Sequence, residues 1–463
     1  MSSLPAWTEG VRGFVFGLIP LAVLTACSSP TESGNSCRTV ANCLFDSAPI
    51  CDAASLTCRA CTMGADDVAC RNGRPATPRC GPQGSCVACL AHSDCASRDL
   101  RKPACRSNAC APCKSANDCQ SKLCSADGSC APVAEVIYVD NKNGSCSGID
   151  HRGTTDDPFC SLRDAVIAAT AGGKTLISVA PSSKSYAALS LSVADGLTSL
   201  TIAGGGSLPG ETRIEGIGTE PALAITGSGT GSKLAVTMRN IDLQGGTKAS
   251  GIFCEKGAEL FVSDVRLHDS GGDGINVSGC NLTVDSSHIF GSKGSGIYVG
   301  GSTYALSNLM IWSNSVSGIA LGAGNTGTMR FLTVYANGSQ TSSQPAGIDC
   351  GATPLAVEHS IVFDNWSRAS GSYSLDSQLV GCSLTNVVTS DKTASTGIYK
   401  TMIEFVNAVS PNIASIDLHL VKDSPKNRDC CVDKVQQSPI AYDLDGTTRP
   451  QGSAADIGAH EVQ

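Results

Sequence analysis

The stretch Gly274-Ile275-Asn276-Val277-Ser278-Gly279-Cys280-Asn281-Leu282-Thr283-Val284-Asp285-Ser286-Ser287-His288-Ile289-Phe290-Gly291-Ser292 decides how the chain is read, because its neighbours repeat it. Gly-Ile pairs recur with their isoleucines at Ile252, Ile275, Ile297, Ile319 and Ile348, in steps of 23, 22, 22 and 29 residues. Other columns fall into the same register. One is aliphatic: Leu267, Ile289, Ile311, Val334, Val362. Two residues before it stand Val265, Ser287, Leu309, Leu332 and Ser360, and three after it Ser270, Ser292, Asn314, Asn337 and Asn365. A period near 22 residues, with every second side chain apolar inside each unit, marks a β-solenoid. One coil cannot bury its own apolar face, but stacked coils share a continuous core.

Immediately after the aliphatic column stand His268, Phe290, Trp312, Tyr335 and Phe363. Aromatic residues are only 5% of the chain, so four on successive coils are not an accident of composition. Strand alternation points this column away from the core. Rings stacked at ~4.8 Å would offer a flat strip to sugar faces. They would equally stabilise one another, or lie beneath the insertion Asn337 to Gln344.

At 463 residues the chain has room for two or three domains, and 41% hydrophobic against 16% charged residues excludes disorder. The net charge is −8. Residues 28–131 hold 11 Lys/Arg against 9 Asp/Glu, and residues 132–463 hold 21 against 31. No basic face for nucleic acid follows from this balance. The acidity speaks against anionic polymers as partners unless a metal bridges them.

Residues 1–26 read as a signal peptide: Arg12 precedes an apolar run, Gly13 to Val23, too short for a permanent membrane span. The run ends Leu24-Thr25-Ala26-Cys27, which resembles the lipobox of bacterial lipoproteins. That resemblance implies a diacylated Cys27, a membrane partner reached through the lipid, and, with Ser28 where an inner-membrane retention signal would stand, the outer membrane. Residues 27–36 carry the lipidated cysteine and a short tether. Residues 37–131 hold 16 of the 25 cysteines in four groups: Cys37/43/51/58, Cys61/70/80/86, Cys89/95/105/110 and Cys113/119/124/130. Few aliphatic residues separate them, so cross-links replace a core. Each group joins the next through Cys-x-x-Cys. An exported chain with few histidines nearby favours disulfides over zinc, and the motifs lack the histidine of haem attachment. Their connectivity is open. The modules resemble the Cys-rich stalks found behind lipoboxes.

Residues 132–174 are expected to cap the solenoid, with the strand Val136 to Val139, a short helix starting at Ser161 under an Asp164 capping box, and a Cys146–Cys160 bond. Short aliphatic runs over 175–390 predict roughly nine coils. Coil length and columns resemble the right-handed parallel β-helix, pectate-lyase-like superfamily. The expected fold class is therefore mainly β, a right-handed parallel β-helix behind a disulfide-rich small-module region. Residues 391–463 are assigned to a C-terminal cap segment. Leu418-His419-Leu420, Asp443-Leu444-Asp445-Gly446, Arg449-Pro450 and Asp456-Ile457-Gly458-Ala459-His460-Glu461 resemble the choice-of-anchor Q ending of bacterial β-helix surface proteins. Asp443-x-Asp-Gly lacks the downstream acidic ligand of a calcium loop and reads as a turn. Cys254–Cys280 and Cys350–Cys382 are expected pairs, and Cys430-Cys431 can be vicinal or separately bonded.

Enzymes of the resembled superfamily act on polysaccharides from the outer face of one sheet. Here Asp264, Arg266, His268 and His288 are expected to share such a face, where they could serve β-elimination or acid/base catalysis, or simply form a solvated strand surface. The polygalacturonase pattern is approached by Gly272-Asp273-Gly274-Ile275-Asn276 and, for its last motif, by Arg213-Ile214-Glu215, but its Asp-Asp pair and Gly-His-Gly are missing and no second glycosidase carboxylate can be nominated. No metal site or cofactor is expected, calcium entering only if the protein is a lyase. The leading expectation is a non-catalytic surface lipoprotein that binds a glycan or mediates adhesion, with Phe290, Trp312, Tyr335 and Phe363 as the binding strip. A polysaccharide lyase or hydrolase is the first alternative, and a purely structural envelope protein the second.

Overall fold

The computed structural model describes residues 37–125, 127–142, 152–229, 233–338, 345–352, 354–366, 378–392, 394, 398–400 and 402–462. The expected signal peptide, Cys27, the tether, Cys146 and most of the insertion Asn337 to Gln344 lie outside these residues. The chain divides after Val87 into two compact units. Among the described residues no helix is long and apolar enough to cross a membrane.

The repeat becomes a right-handed parallel β-solenoid of about eight turns. Eight parallel strands, from Leu189–Ser192 through Ile275–Ser278 to Leu379–Val380, form one sheet. Its pairing sets Ile252 on Ile275, Ile275 on Ile297, Ile297 on Ile319 and Ile319 on Ile348, so the Gly-Ile column stacks as its spacing predicts. The aliphatic column stacks likewise, Leu267 on Ile289, Ile311, Val334 and Val362. All of these residues are essentially buried. The count is about eight turns against the roughly nine expected; the run Leu176–Val179 pairs with the capping strand Val136–Val139 on one side and with Ser199–Gly204 on the other, and belongs to the same coil as Leu189–Ser192.

Each coil turns on a left-handed residue. Asn240, Asp264, Ser286, Asn308, Phe331, His359 and Asn386 form one such column, with φ between +50° and +52° at five of them and between +47° and +54° throughout. Short polar side chains tolerate this conformation by local hydrogen bonding; Phe331 does not share that excuse and is held by packing. The second bend is stabilised by an internal amide ladder. The backbone N–H of Ser292 donates to Asn314 Oδ1, that of Asn314 to Asn337 Oδ1 and that of Asn337 to Asn365 Oδ1, each at 3.0–3.1 Å. Asn314, Asn337 and Asn365 are fully buried, so the ladder satisfies corner amides that the strand pairing leaves over.

Ser161 is the N-cap of the helix Leu162–Gly172, its Oγ accepting from Asp164 N at 3.1 Å, and Leu162, Ala165, Val166 and Ala169 close the end of the core. Within every cysteine module the first residue bonds the third and the second the fourth, as in Cys37–Cys51 and Cys43–Cys58 or Cys113–Cys124 and Cys119–Cys130. Cys254–Cys280 and Cys350–Cys382 form as expected, and Cys430–Cys431 is vicinal.

Two expectations need correction. The last cysteine module is not a free stalk element. Leu123 is buried with Ala131, Val136, Tyr138 and Ala203, and Arg239 donates to the Cys124 carbonyl at 2.9 Å, so the module is docked on the solenoid. The C-terminal segment, for its part, lies along the outer face of the solenoid. Its hairpin Phe405–Asn407/Asp417–Leu420 and helix Pro425–Cys430 place Ile403, Phe405, Leu418, Leu420, Cys430 and Cys431 over Phe290, Trp312, Phe331 and Phe363.

Candidate functional site

The aromatic column points outward from the coils, as alternation requires, but the C-terminal segment removes it from solvent. Phe290, Trp312 and Phe363 are at most 4% exposed, and Tyr335 is half-buried edge-on to Phe405. Phe290 and Trp312 stack with centroids 4.3 Å apart. Trp312 Nε1 donates to the Ile413 carbonyl at 3.1 Å. The expected binding strip is therefore a second hydrophobic core. Its physical reason is burial: an outward apolar face of this size needs a cover, and the chain supplies one from its own C-terminus.

The polar patch fares differently. A cleft of about 970 Å³ opens on the outer face between the docked fourth cysteine module and the turn at Tyr442 to Gly446. Asp264, Arg266 and His288 line it together, as expected from the register. Arg266 and His288 are direct partners on adjacent parallel strands. Asp264 sits at a left-handed corner and not in a strand, with its carboxylate 3.5 Å from Arg239. Burial pushes the Asp264 carboxyl up, against the pull of Arg239. His268 does not join them. It is buried against Asp242, 2.7 Å from Nε2, and Asp269, 2.9 Å from Nδ1, and stacks on Phe290 at 5.3 Å. Burial disfavours its charge, but the two carboxylates outweigh that and raise its pKa. It is a structural ion-pair residue.

The side chains of Arg266 and His288 make no hydrogen bond or ion pair among the described residues; the Arg266 guanidinium lies 5.6 Å over the Phe290 ring and His288 meets Trp312 edge-on at 5.8 Å. Burial holds the His288 imidazole down to about 4, so it is neutral at physiological pH. Asp285, on the same wall, accepts three hydrogen bonds, from Ser286, Ser307 and Asn308. Phe261 and the 54%-exposed Tyr442 add ring faces. The cleft thus combines a guanidinium without an ion-pair partner among the described residues, a neutral imidazole, carboxylates and aromatic edges, the mix that fixes a polar ligand by its groups and its apolar faces.

Sequence reasoning missed Arg239, Tyr442 and Asp445, which approach the patch from other coils or from the C-terminal segment. It also missed a group at the cleft's edge. His419 contacts Asp417 through Nδ1 and Asp445 through Nε2 at 2.8 Å, and its ring meets His460 edge-on at 4.4 Å. Burial opposes the charge on His419, yet Asp445 and Asp417 outweigh it and raise the pKa to about 9. Burial lowers His460 to about 4. These residues stand in the quoted C-terminal motifs, but nothing in their linear spacing brings them together. Asp443 forms the expected turn: its Oδ1 accepts from Asp445 N at 2.9 Å and Thr447 N at 2.7 Å, and its Oδ2 from Glu461 N.

No curated protein matches this sequence. Among solved structures, pectate lyase Pel9A is similar with a TM-score of 0.42 and 14% identity, over 71% of this chain and 96% of that one. The Azotobacter vinelandii mannuronan C-5 epimerase AlgE4 A-module is similar with a TM-score of 0.25 and 15% identity, over 54% and 86%. Residues 222–399 match the family model described as "Right handed beta helix region", so this part of the chain is a right-handed β-helix domain by sequence match and by strand register alike.

Proposed function

We propose that the protein is an exported, lipid-anchored surface protein whose β-helix binds a glycan in the cleft at Arg266 and His288, without catalysis. The observation that carries the binding reading is the pairing on adjacent strands of Arg266 and His288, whose side chains make no hydrogen bond or ion pair among the described residues, inside a walled cleft with the exposed ring of Tyr442 on its rim. Sugars are held by hydrogen bonds to their hydroxyls and by contact of their C–H faces with aromatic rings. Six carboxylates (Asp127, Glu211, Asp264, Asp285, Asp443, Asp445) and four cations (Arg106, Lys114, Arg239, Arg266) line the cleft, so a neutral or mixed glycan suits it better than a polyanion. The anchor rests on Leu24-Thr25-Ala26-Cys27 and an outer-membrane destination on Ser28.

The test is binding of the purified full chain to an oligosaccharide panel that includes neutral and acidic members. Arg266→Ala and Tyr442→Ala are expected to weaken the best binder at least tenfold without loss of fold. Absence of binding across the panel would leave the structural envelope reading. Fatty-acid labelling that is lost in Cys27→Ser tests the anchor separately.

A second reading, polysaccharide cleavage, is favoured by one feature: a guanidinium and an imidazole, Arg266 and His288, stand side by side within one coil step in the cleft, a pair that can serve β-elimination. A glycosidase is less favoured, because Asp264 is paired with Arg239 and Asp285 is already engaged by Ser286, Ser307 and Asn308. Incubation with the same panel, with and without calcium, followed for unsaturated products and new reducing ends, separates this reading from pure binding.

A further inference from the structure

We propose that His419, Asp445 and His460 form a site for one small divalent transition-metal ion, zinc by donor set, with Asp417 as the outer carboxylate that orients His419. The three side chains come from three segments of the C-terminal region: the strand Asp417–Leu420, the turn after Asp443 and the final residues. Each offers one ligand atom, and these atoms lie within 4.8 Å of one another. Two imidazoles and a carboxylate are the donor set of open zinc sites, which keep the fourth position for an exchangeable ligand.

The second shell is already in place. Asp417 engages His419 Nδ1, which fixes the Nδ1–H tautomer in the metal-bound form and aims the Nε2 lone pair at the side where Asp445 stands, 2.8 Å away. A carboxylate behind a ligating imidazole is the usual orienting device of such sites. Asp445 is held by the rigid Asp443 turn. The Nδ1 atom of His460 is buried and has no hydrogen-bond partner among the described residues, so a buried polar atom is left that a ligand could satisfy. Three of the seven histidines, His288 included, gather around Asp445: His288 feels its charge as well as that of His419. The cysteines of modules one to four do not compete for the ion, because all sixteen are closed in disulfides.

The experiment uses the untagged full chain, stripped with a chelator, and zinc as the probe in calorimetric titration. One zinc per chain with a dissociation constant of about 1 μM or tighter is expected, together with visible absorption bands of a low-coordinate site when cobalt(II) is added instead. His419→Gln and His460→Gln should each weaken binding about 100-fold, and Asp417→Asn about 10–100-fold at unchanged stoichiometry. Should either histidine variant fail to fold, Asp445→Asn, on a half-exposed turn side chain, is expected to show the same loss. Absence of zinc binding below about 100 μM, or binding undiminished in these variants, would overturn the site.

Discussion

Trp312 donates its indole N–H to the Ile413 carbonyl at 3.1 Å, a bond between the middle of the solenoid and a C-terminal segment 101 residues later. This one bond shows what the aromatic column is for: its outer edge is the floor on which the C-terminal segment is laid. Trp312→Ala should destabilise the fold by about 3–5 kcal/mol, and Trp312→Phe, which keeps most of the ring, by roughly 1–2 kcal/mol. Denaturant unfolding measures both. A near-neutral Trp312→Ala would mean that the segment does not stay docked in solution.

The same cover is locked by Arg449. Its side chain is fully buried, pairs with Glu461 at 2.9 Å, donates to the carbonyls of Asp456, Gly458 and Ala459, and lies 4.2 Å over the Phe331 ring. Arg449→Met leaves Glu461 as an unpaired buried charge and should cost about 3–5 kcal/mol. Adding Glu461→Gln should recover part of that loss, which a double-mutant cycle reads as a coupling energy.

The amide ladder makes a third prediction. Asn337 Oδ1 accepts from both the backbone N–H and the Nδ2 of Asn314, while its own Nδ2 donates to the carbonyls of Ile311 and Tyr335. Asn337→Ala would strand these groups in a dry interior, at about 2–4 kcal/mol. Hydrogen exchange should show faster amide exchange at Asn314 than at corners two coils away.

Acid stability should depend on His288. Its folded pKa of about 4 lies below the ~6.5 of an unfolded histidine, so the unfolded chain binds the extra proton between these values. The contribution is present above pH ~6.5 and is lost as pH falls toward 4. After allowance for the partial exposure of the ring, the loss between pH 7 and 5 is on the order of 1 kcal/mol. His288→Phe should flatten that share of the slope in unfolding measured at the two pH values; an unchanged slope would place the titrating group elsewhere.

The sequence by itself determined the coils. A strand register is a local rule repeated, so Ile275 had to meet Ile297 and Leu267 had to meet Ile289 once the spacing was near 22 residues, and Arg266 had to stand beside His288 for the same reason. The grouping of sixteen cysteines into four modules and the pairs Cys254–Cys280 and Cys350–Cys382 were legible in equally local spacing, whereas the first-to-third and second-to-fourth bonding inside each module was decided only by the structure. Only the tertiary structure decided what covers the outer faces. Alternation places Phe290 and Trp312 outside the coil but says nothing about a segment that returns a hundred residues later to bury them. It likewise places Asp264 near Arg266 without revealing that a cysteine module and the Tyr442 turn wall them into a cleft. His419, Asp445 and His460 meet for the same non-local reason: the contacts are set by how the C-terminal segment packs on apolar surface, which no linear spacing encodes.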